Sequence, residues 1–440
     1  MSAFDLIVRG DARDVGVAGG RIAAVEPELA GGTTAEIDAR GLLVLPGVVD
    51  AHVHLNDPGR AEWEGFDTGT RALAAGGTTT AIDMPLNASP PTTDGAALDA
   101  KVTAARGRLH VDVALWGGLV PGNAEALDEL AGRGVVGFKA FMSDSGIDDF
   151  AAVDDATLEA GMARAAALGL PVAVHAEDDA VTARLAAQAR AAGRLTMRDY
   201  RASRPVRAEL DAIERAIALA EATGCPLHVV HVSSGAGVGL VAVARARGVD
   251  VTCETCPHYL VLDEDDADAL GALAKCAPPI RPAAEVQALW QRLAAGDVDL
   301  VATDHSPAPA SMKGGDDAFA VWGGISGAQT LLALLLDGGL RRGLPLARLV
   351  RLLCGAPAER FGLAPAKGAL AVGADADLVL VDPAVDTVLE RDALLDRHRL
   401  SPYVGRTLRG RVVRTILRGE TVALEGRIAG PPRGRIVTRG

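Results

Sequence analysis

The middle of the chain alternates short apolar runs with longer stretches rich in Ala, Leu, Glu and Arg. Continuous apolar strands that alternate with helices are typical of a parallel sheet covered by helices. The eight units predict an α/β fold, a (β/α)8 barrel of the TIM type over residues 47–366. The predicted strands are 48–55, 78–84, 111–116, 135–141, 171–176, 227–232, 251–256 and 300–304, with helix-like segments such as 156–168, 208–222 and 285–294 between them.

A doubly wound open sheet is the alternative for this middle part, but no Gly-x-Gly-x-x-Gly motif opens a helix after its first strand. The two chain ends differ from the middle. They carry short β-like runs separated by glycines, such as 5–9 and 21–25 at one end and 376–381 and 411–417 at the other. Neither end is long enough to bury a core alone, so residues 1–46 and 367–440 are predicted to form one small, discontinuous β-sandwich domain.

Composition narrows the class of protein. The 440 residues are 49% hydrophobic and carry a net charge of −13, which argues against a nucleic-acid partner. No signal peptide is visible, the apolar stretches are too short to cross a bilayer, and five cysteines are too few for a disulfide scaffold. We therefore expect a cytoplasmic protein that acts on a small molecule and contacts neither nucleic acid nor membrane.

The first predicted barrel strand carries two candidate metal ligands. Asp50-Ala51-His52-Val53-His54 ends an apolar run, and side chains alternate across a strand, so His52 and His54 project to the same side. At this spacing the two imidazoles can converge on one metal ion. A single histidine here would be read as a core or solvent residue, but the pair at a strand end favours a metal site.

Three further strands end in residues of the same chemical type. His175 ends the fifth strand, His231 the sixth and Asp304 the eighth. Barrel active sites are assembled at the carboxyl ends of the strands. His228 and Asp299 show that such residues also occur nearby without an obvious role. Together, however, the strand ends predict four imidazoles and one carboxylate at one rim.

The fourth strand contains a lysine between two phenylalanines, and Lys139 is one of only five lysines in the chain. A snorkelling or ion-paired lysine is the alternative reading. A buried ammonium is costly unless it is paired, and its pKa falls. A neutral lysine amine can add carbon dioxide and become a carbamate, an anionic ligand with two oxygens. We therefore predict that carboxylated Lys139 bridges two cations.

These residues resemble those of the cyclic amidohydrolases, which include allantoinases, dihydroorotases, hydantoinases and dihydropyrimidinases. The resemblance covers essentially the whole chain and implies two divalent metal ions, usually zinc, with Mn²⁺, Co²⁺ or Fe²⁺ as alternatives. It makes His52, His54 and Asp304 the ligands of one ion. It makes His175 and His231 ligands of the other, with N6-carboxylated Lys139 bridging. It also implies a homo-oligomer, a tetramer. The motif that opens the resemblance is Gly41-x-x-Val44-x-Pro46-Gly47-x-x-Asp50-x-His52-x-His54.

Among these enzymes the chain most resembles the allantoinases. Dihydroorotases carry an arginine at the position of Asn56, and hydantoinases typically carry a tyrosine at the position of Asp144. Hydantoinase or dihydropyrimidinase, dihydroorotase and a non-catalytic relative stay open as alternatives. The segments that resemble allantoinases are Trp63-Glu64-Gly65, Asp83-Met84-Pro85-Leu86-Asn87, Cys253-Glu254-Thr255-Cys256-Pro257-His258-Tyr259, Lys275-Cys276-Ala277-Pro278-Pro279-Ile280-Arg281, Trp322-Gly323-Gly324-Ile325 and Ser401-Pro402-Tyr403-Val404-Gly405-Arg406.

The expected reaction is hydrolysis of the ring amide of allantoin to allantoate, a step of purine breakdown. A hydroxide bridging the two metal ions attacks the carbonyl, and Asp304 acts as general base and then general acid. Asn56, Asn87 and Ser306 follow strand ends on the same rim and are predicted to contact the substrate, with loop capping as the alternative. Residues 306–317 are a candidate lid. Cys253 and Cys256 are predicted to be packed thiols.

Overall fold

The computed structural model describes residues 4–440 of the chain. The strands are β1 Phe4–Arg9, β2 Asp14–Ala18, β3 Arg21–Glu26, β4 Thr33–Asp38, β5 Leu43–Pro46, β6 Val48–Val53, β7 Thr78–Asp83, β8 Asp112–Leu115, β9 Gly117–Gly118, β10 Phe138–Phe141, β11 Val172–His175, β12 Leu227–Val229, β13 Val251–Thr255, β14 Leu300–Val301, β15 Leu378–Val388, β16 Thr407–Leu417, β17 Glu420–Leu424 and β18 Arg427–Ile428. The α-helices are α1 Phe66–Ala75, α2 Gly95–Ala105, α3 Ala126–Gly132, α4 Asp155–Ala167, α5 Asp179–Ala191, α6 Met197–Ala202, α7 Val206–Thr223, α8 Gly235–Ala246, α9 Pro257–Val261, α10 Glu264–Leu270, α11 Ala283–Ala295, α12 Leu331–Arg341, α13 Leu346–Val350 and α14 Ala356–Arg360.

Strands β6 to β14 form the barrel in chain order, and every pair of neighbours within them is parallel. β8 and β9 act as one strand interrupted at Trp116, whose backbone N–H donates to the carbonyl of Asp83 at 3.0 Å. The ring closes where Val53 of β6 forms a parallel bridge with His305, just beyond β14. The predicted (β/α)8 barrel is confirmed.

Local sequence explains why these elements form. All six residues of β6 and of β7 are buried, as expected for strands covered by helices on one side and barrel core on the other. Helices α2, α4 and α5 begin after an aspartate whose carboxylate accepts the backbone N–H three residues on. These N-caps follow strand ends and set where each helix starts. The capping residues are Asp94, Asp154 and Asp178.

Both chain ends contribute to a β-rich region outside the barrel. The first sheet has the order β3-β2-β1-β4, and the second has the order β18-β17-β16-β15-β5. β5 from the amino-terminal part pairs antiparallel with β15 from the carboxyl-terminal part. The predicted union of both ends is confirmed, whereas the boundaries at 46/47 and 366/367 stay predictions. The shared core holds Leu6, Val8, Val15, Val17, Ile22, Ala39, Ala374, Ala376, Leu378, Leu380 and Ile416.

The last residues of the chain return to the barrel. The backbone N–H of Val113 in β8 donates to Arg435 at 3.0 Å, and that of Val437 donates to Val113 at 2.9 Å. Observed strands are also shorter than predicted at the rim. The eighth spans only Leu300–Val301, because the chain turns before Asp304, whose φ is 46°. Among residues 4–440, no helix is long and apolar enough to cross a membrane.

Candidate metal centre

The predicted ligands meet at the carboxyl ends of the barrel strands, as the topology requires. A cleft of about 280 Å³ opens there, and five of the six predicted ligands line it. The sixth, Lys139, is fully buried in β10, with its Nζ 5.0 Å from the ring centre of Phe141. Phe141 in turn stacks on the imidazole of His175 with ring centres 4.7 Å apart. The cleft-lining ligands are His52, His54, His175, His231 and Asp304.

His52, His54 and Asp304 form a compact cluster. The Nε2 atoms of His52 and His54 each lie 3.3 Å from Oδ1 of Asp304. The three ligand atoms all lie within 4.8 Å of one another, and all three residues are buried. Two imidazole nitrogens and a carboxylate oxygen form a donor set that suits zinc and similar divalent ions. The cluster is therefore a candidate metal site.

The hydrogen bonds behind this cluster decide which atoms face it. Nδ1 of His54 lies 2.8 Å from the carbonyl oxygen of Leu86, and a carbonyl can only accept, so Nδ1 carries the proton. Nδ1 of His52 lies 2.5 Å from the Glu254 carboxylate, which fixes the same tautomer. Each neutral ring then turns an Nε2 lone pair toward the Asp304 carboxylate. Three acceptors that face one point without a proton between them repel one another unless a cation lies there.

A second pair of imidazoles faces the same cleft. Nδ1 of His175 lies 3.1 Å from Nε2 of His231. The other nitrogen of His175 lies 2.9 Å from the Glu177 carboxylate, which leaves Nδ1 as the free lone pair. The rings of His52 and His231 have centres 5.4 Å apart, so the two pairs are neighbours. The structure thus brings together all four predicted histidines.

Lys139 has no hydrogen-bond partner for its buried Nζ among residues 4–440. Burial lowers the pKa of Lys139 to about 7. An amine in this state is an available nucleophile as well as an unsatisfied polar group, which is the pair of properties that carboxylation requires. The side chain fits the predicted role, while the carbamate itself stays a prediction.

Burial favours the neutral form of three of the four histidines. Burial lowers the pKa of His52, of His175 and, most strongly, of His231. Burial alone would raise the pKa of Asp304, whereas positive charge on the imidazoles of His52, His54 and His231 holds that pKa well below its usual range. Neutral imidazoles beside an ionised carboxylate are the protonation states that bind a cation.

Two acidic residues behind the ligands were not predicted. Burial opposes ionisation of Glu254, but His52 and His228 lower its pKa to about 2, and Nε2 of His228 lies 3.1 Å from its carboxylate. Asp50 accepts from the Thr303 backbone N–H at 3.0 Å and from its hydroxyl at 2.6 Å, which ties β6 to the end of the eighth strand. Carboxylates inside otherwise apolar strands were the available signal for both.

Three residues at the rim have backbone angles that L residues adopt infrequently. Asn56, His231 and Asp304 have φ values of 61°, 39° and 46°. Positive φ in non-glycine residues costs free energy and is concentrated at functional sites. Two of the three are predicted metal ligands, and each follows a strand end where the chain must turn to present its side chain.

The predicted substrate contacts separate into two groups. Asn87 and Ser306 line the cleft. Asn56 is absent from the cleft lining, and its Oδ1 accepts from Nδ2 of Asn87 at 3.2 Å. The structure therefore places Asn56 behind Asn87. Cys253 and Cys256 are both buried and free, in agreement with their prediction as packed thiols.

Several cleft residues were not predicted to lie at the site, because none of them is itself a metal-ligand residue type. Arg204 lines the cleft and pairs with Glu177, behind His175. Lys275 lines it as well, and burial lowers the pKa of Lys275 to about 7. The segment 319–324 forms another part of the lining. It follows the predicted lid, 306–317, of which only Ser306 lines the cleft.

Sequence comparison identifies full-length relatives. An allantoinase from Rubrobacter xylanophilus is 61% identical, covering 99% of this chain and 98% of that protein. An allantoinase from Deinococcus radiodurans is 50% identical, covering 99% of both chains. An allantoinase from Escherichia coli K12 is 45% identical with the same coverage.

Solved structures agree in fold. An L-hydantoinase (dihydropyrimidinase) from Arthrobacter aurescens superposes with a TM-score of 0.97 at 38% identity, covering 99% of this chain and 100% of that one. A dihydropyrimidinase from Brevibacillus agri gives 0.90 at 32% identity, covering 99% and 98%. The Amidohydrolase family matches residues 43–422, which include both histidine pairs, Lys139 and Asp304. The chain therefore belongs to the amidohydrolase family.

Proposed function

We propose that this protein hydrolyses the ring amide of allantoin to give allantoate. The observation that carries a metal-dependent hydrolysis is the set of three acceptors, His52, His54 and Asp304, facing one point in a cleft. The substrate rests on the relatives: proteins named allantoinase are 45–61% identical over 93–99% of the chain, whereas the superposed hydantoinases and dihydropyrimidinases are 28–38% identical.

Two divalent metal ions would be held by the residues of the cleft. His52, His54 and Asp304 would hold one, and His175 and His231 the other. Nitrogen and carboxylate donors suit Zn²⁺ first, with Mn²⁺, Co²⁺ and Fe²⁺ as alternatives. When bound, such ions lower the pKa of water toward neutrality and polarise a carbonyl group.

Lys139 would bridge the two ions after carboxylation. Its neutral amine attacks the carbon of carbon dioxide, a nitrogen–carbon bond forms, and one proton leaves to solvent. The product is a carbamate anion with two oxygens. The buried, unpartnered Nζ supports this step. A carbamate between two cations would give the buried lysine side chain binding partners, and its negative charge would offset part of the positive charge of the cations.

Asp304 would move the proton of the reaction. Its carboxylate is ionised, so it can accept a proton from the attacking water. The same group then donates that proton to the ring nitrogen as the carbon–nitrogen bond breaks. The products are a neutral ureido nitrogen and a carboxylic acid, which loses its remaining proton to solvent and becomes a carboxylate, and Asp304 returns to its ionised form. Asn87 and Ser306 would orient the ring from the cleft wall.

A hydantoinase or dihydropyrimidinase activity is the second candidate, and the TM-score of 0.97 to the L-hydantoinase favours keeping it. Dihydroorotase stays in the comparison for a different reason. Asn56 lies outside the cleft lining, so the absence of an arginine there does not by itself separate neutral from acidic rings. Asp144 lines the cleft, but so do Arg204 and Lys275, so the charges of the lining do not separate acidic from neutral rings either.

Turnover of four rings by the purified, metal-loaded protein tests the proposal. Allantoin, hydantoin, dihydrouracil and dihydroorotate are assayed in parallel, and we expect the highest kcat/KM for allantoin. Preference for another ring would refute allantoin as the substrate, whereas the proposed metal centre would be unaffected. By resemblance we also infer a homotetramer, which light scattering during size-exclusion chromatography tests directly.

A further inference from the structure

The wall of the cleft formed by 319–324 is held by two lysines. Nζ of Lys275 donates to the carbonyl of Val321 and, at 3.5 Å, to that of Phe319. Nζ of Lys313 donates to the carbonyls of Trp322 at 3.1 Å and Gly324 at 2.5 Å. Both ammonium groups thus bind backbone carbonyls of one short segment, and both residues come from outside it.

Neither lysine has a carboxylate within 4 Å among residues 4–440. Two other buried lysines do: Lys101 lies 2.6 Å from Asp83, and Lys367 is surrounded by three aspartates. A buried ammonium normally needs an anion, because carbonyl dipoles replace only part of its hydration. When these two lysines are protonated, the cleft wall therefore carries positive charge that no carboxylate of the described residues neutralises within 4 Å.

The two lysines differ in one respect that matters for a ligand. Lys275 lines the cleft and Lys313 does not. Protonated Lys275 has three N–H donors, and the two carbonyls that it binds leave one donor over. Arg204 is the other cationic side chain that lines the cleft, but it is already paired with Glu177. Lys275 is thus the cationic side chain lining the cleft that has no carboxylate within 4 Å among residues 4–440.

The Lys275 ammonium is also well positioned. Its Nζ lies 4.4 Å from the ring centre of Tyr200, whose hydroxyl donates to the carbonyl of Cys276 at 3.2 Å. Contacts to an aromatic face, two carbonyls and a neighbouring backbone hold a long side chain in one place. A fixed donor discriminates between ligands better than a mobile one, because no ordering cost is left at binding.

We propose that Lys275 donates a hydrogen bond to the carbonyl oxygen of the ureido group outside the substrate ring, and that this contact selects ureido-substituted rings over unsubstituted ones. The inference rests on the proposed function. Allantoin and hydantoin share the ring that is opened and differ by this ureido group. The group is neutral, and its carbonyl oxygen is a strong acceptor, so it suits a donor that lies in a cleft without a carboxylate partner.

The test compares allantoin and hydantoin in three proteins: wild type, Lys275→Met and Lys313→Met. Lys275→Met should lower the ratio of kcat/KM for allantoin to that for hydantoin by about ten- to a hundred-fold, the loss expected for a charge-assisted hydrogen bond. Lys313→Met removes the same kind of contact to the same segment without touching the cleft. We expect this variant to lower kcat/KM for allantoin and for hydantoin by the same factor, so that their ratio stays unchanged.

Several results would overturn the proposal. The first is an unchanged ratio of kcat/KM for allantoin to that for hydantoin in Lys275→Met. The second is an equal shift of this ratio in Lys275→Met and Lys313→Met, which would mean that Lys275 only anchors the segment 319–324. If Lys275→Met does not fold, Lys275→Arg keeps a cationic donor. Selectivity in that variant should stay above that of Lys275→Gln, and equal selectivity in these two variants counts against the contact.

Failure of the proposed function has a different signature. A wild-type protein that hydrolyses hydantoin but not allantoin refutes the allantoinase assignment and this inference together. A wild-type protein that prefers allantoin while Lys275→Met keeps the same preference refutes only the Lys275 contact. Where hydantoin is bound but not hydrolysed, its inhibition constant against allantoin turnover takes the place of its kcat/KM.

Discussion

Two buried clusters in this molecule bring three ligand atoms within 4.8 Å of one another, and their environments differ. One consists of His52, His54 and Asp304 at the carboxyl ends of the barrel strands. The other consists of Asp112, Asp375 and Asp377, where the amino end of β8 meets the chain that precedes β15. Ligand spacing alone does not distinguish them, so their surroundings must.

The second cluster already contains its cation. Nζ of Lys367 lies 2.6, 2.9 and 2.7 Å from the carboxylates of Asp112, Asp375 and Asp377. In the first cluster the neighbouring lysine, Lys139, has no hydrogen-bond partner among the described residues. The chain thus supplies a cation to the cluster of three aspartates and supplies none to the cluster of His52, His54 and Asp304.

The two lysines also differ in protonation. Burial lowers the pKa of Lys139 to about 7. Burial alone would lower the pKa of Lys367 as well, but Asp377 and Asp112 raise it above its ordinary value of 10.5. Lys367, among carboxylates, stays charged and structural, whereas Lys139, which has no hydrogen-bond partner among the described residues, becomes reactive. Each prediction below tests one side of this comparison.

The largest effect is expected at Asp304. Asp304→Asn keeps a residue that tolerates a positive φ but removes the ionised carboxylate. We expect kcat/KM for allantoin to fall by about 10²- to 10⁴-fold, the usual contribution of a general acid–base group. Thermal unfolding should show a fold as stable as wild type. Turnover near the wild-type rate, with the metal content unchanged, would exclude the proton-transfer role.

Lys139→Ala should lower activity by about a thousand-fold, because several kcal/mol of metal-derived stabilisation depend on the bridging group. The variant leaves space where a short carboxylic acid can replace the carbamate, so propionate should restore part of the rate. Lys139→Met fills that space and is the control that should not respond. Metal analysis is expected to find fewer ions per chain in both. Full activity of Lys139→Ala without any added acid would refute the bridge.

Replacing Lys367, the lysine of the aspartate cluster, should lower stability and leave catalysis unchanged. Lys367→Met removes the one cation that contacts all three buried carboxylates and leaves only arginines at the edge of the cluster. Removing one partner of such a cluster costs about 3–5 kcal/mol of unfolding free energy. Urea or thermal unfolding measures the loss. Because the cluster lies away from the cleft, kcat/KM of the folded variant should match wild type, and a parallel loss of activity would contradict the structural assignment.

The pH dependence of that loss has a definite sign. Since the folded-state pKa of Lys367 is raised above 10.5, its stabilisation is fully present below that value and is lost as the pH rises through the folded-state pKa. The stability difference between wild type and Lys367→Met should therefore be constant from pH 7 to about 10 and shrink above it. A difference that grows at alkaline pH would mean that the lysine is not the stabilising cation.

The smallest effect is expected at the exposed edge of the same cluster. Arg435 has a side chain that is 57% exposed, and its Nη2 lies 3.7 Å from Asp375. Exposed ion pairs contribute about 0–1 kcal/mol, so Arg435→Ala should change the unfolding free energy by less than that. Arg435→Ala and Lys367→Met each remove one positive charge from the same cluster, but only Lys367 is buried. Measuring both unfolding free energies in one series therefore shows how much of the loss depends on burial. Equal losses in the two variants would contradict the role given to burial.

The sequence by itself determined the barrel, the joining of both chain ends and the identity of the predicted metal ligands. These features are local or periodic. His52 and His54 project together because side chains alternate along a strand, and residues at strand ends meet because parallel strands share a rim. A lysine within an apolar strand, Lys139, is likewise visible without a structure, since its cost follows from burial alone.

Only the tertiary structure decided which partners these residues have. Glu254 meets the imidazole of His52 across 202 positions of the chain, and no periodicity predicts such a pair. Asn56 and Asn87 look alike as residues after strand ends, but only Asn87 lines the cleft. Lys275 and Lys367 are both lysines in polar surroundings, but one binds carbonyls and the other carboxylates. Partner and orientation depend on which elements pack together, and that is a property of the whole fold.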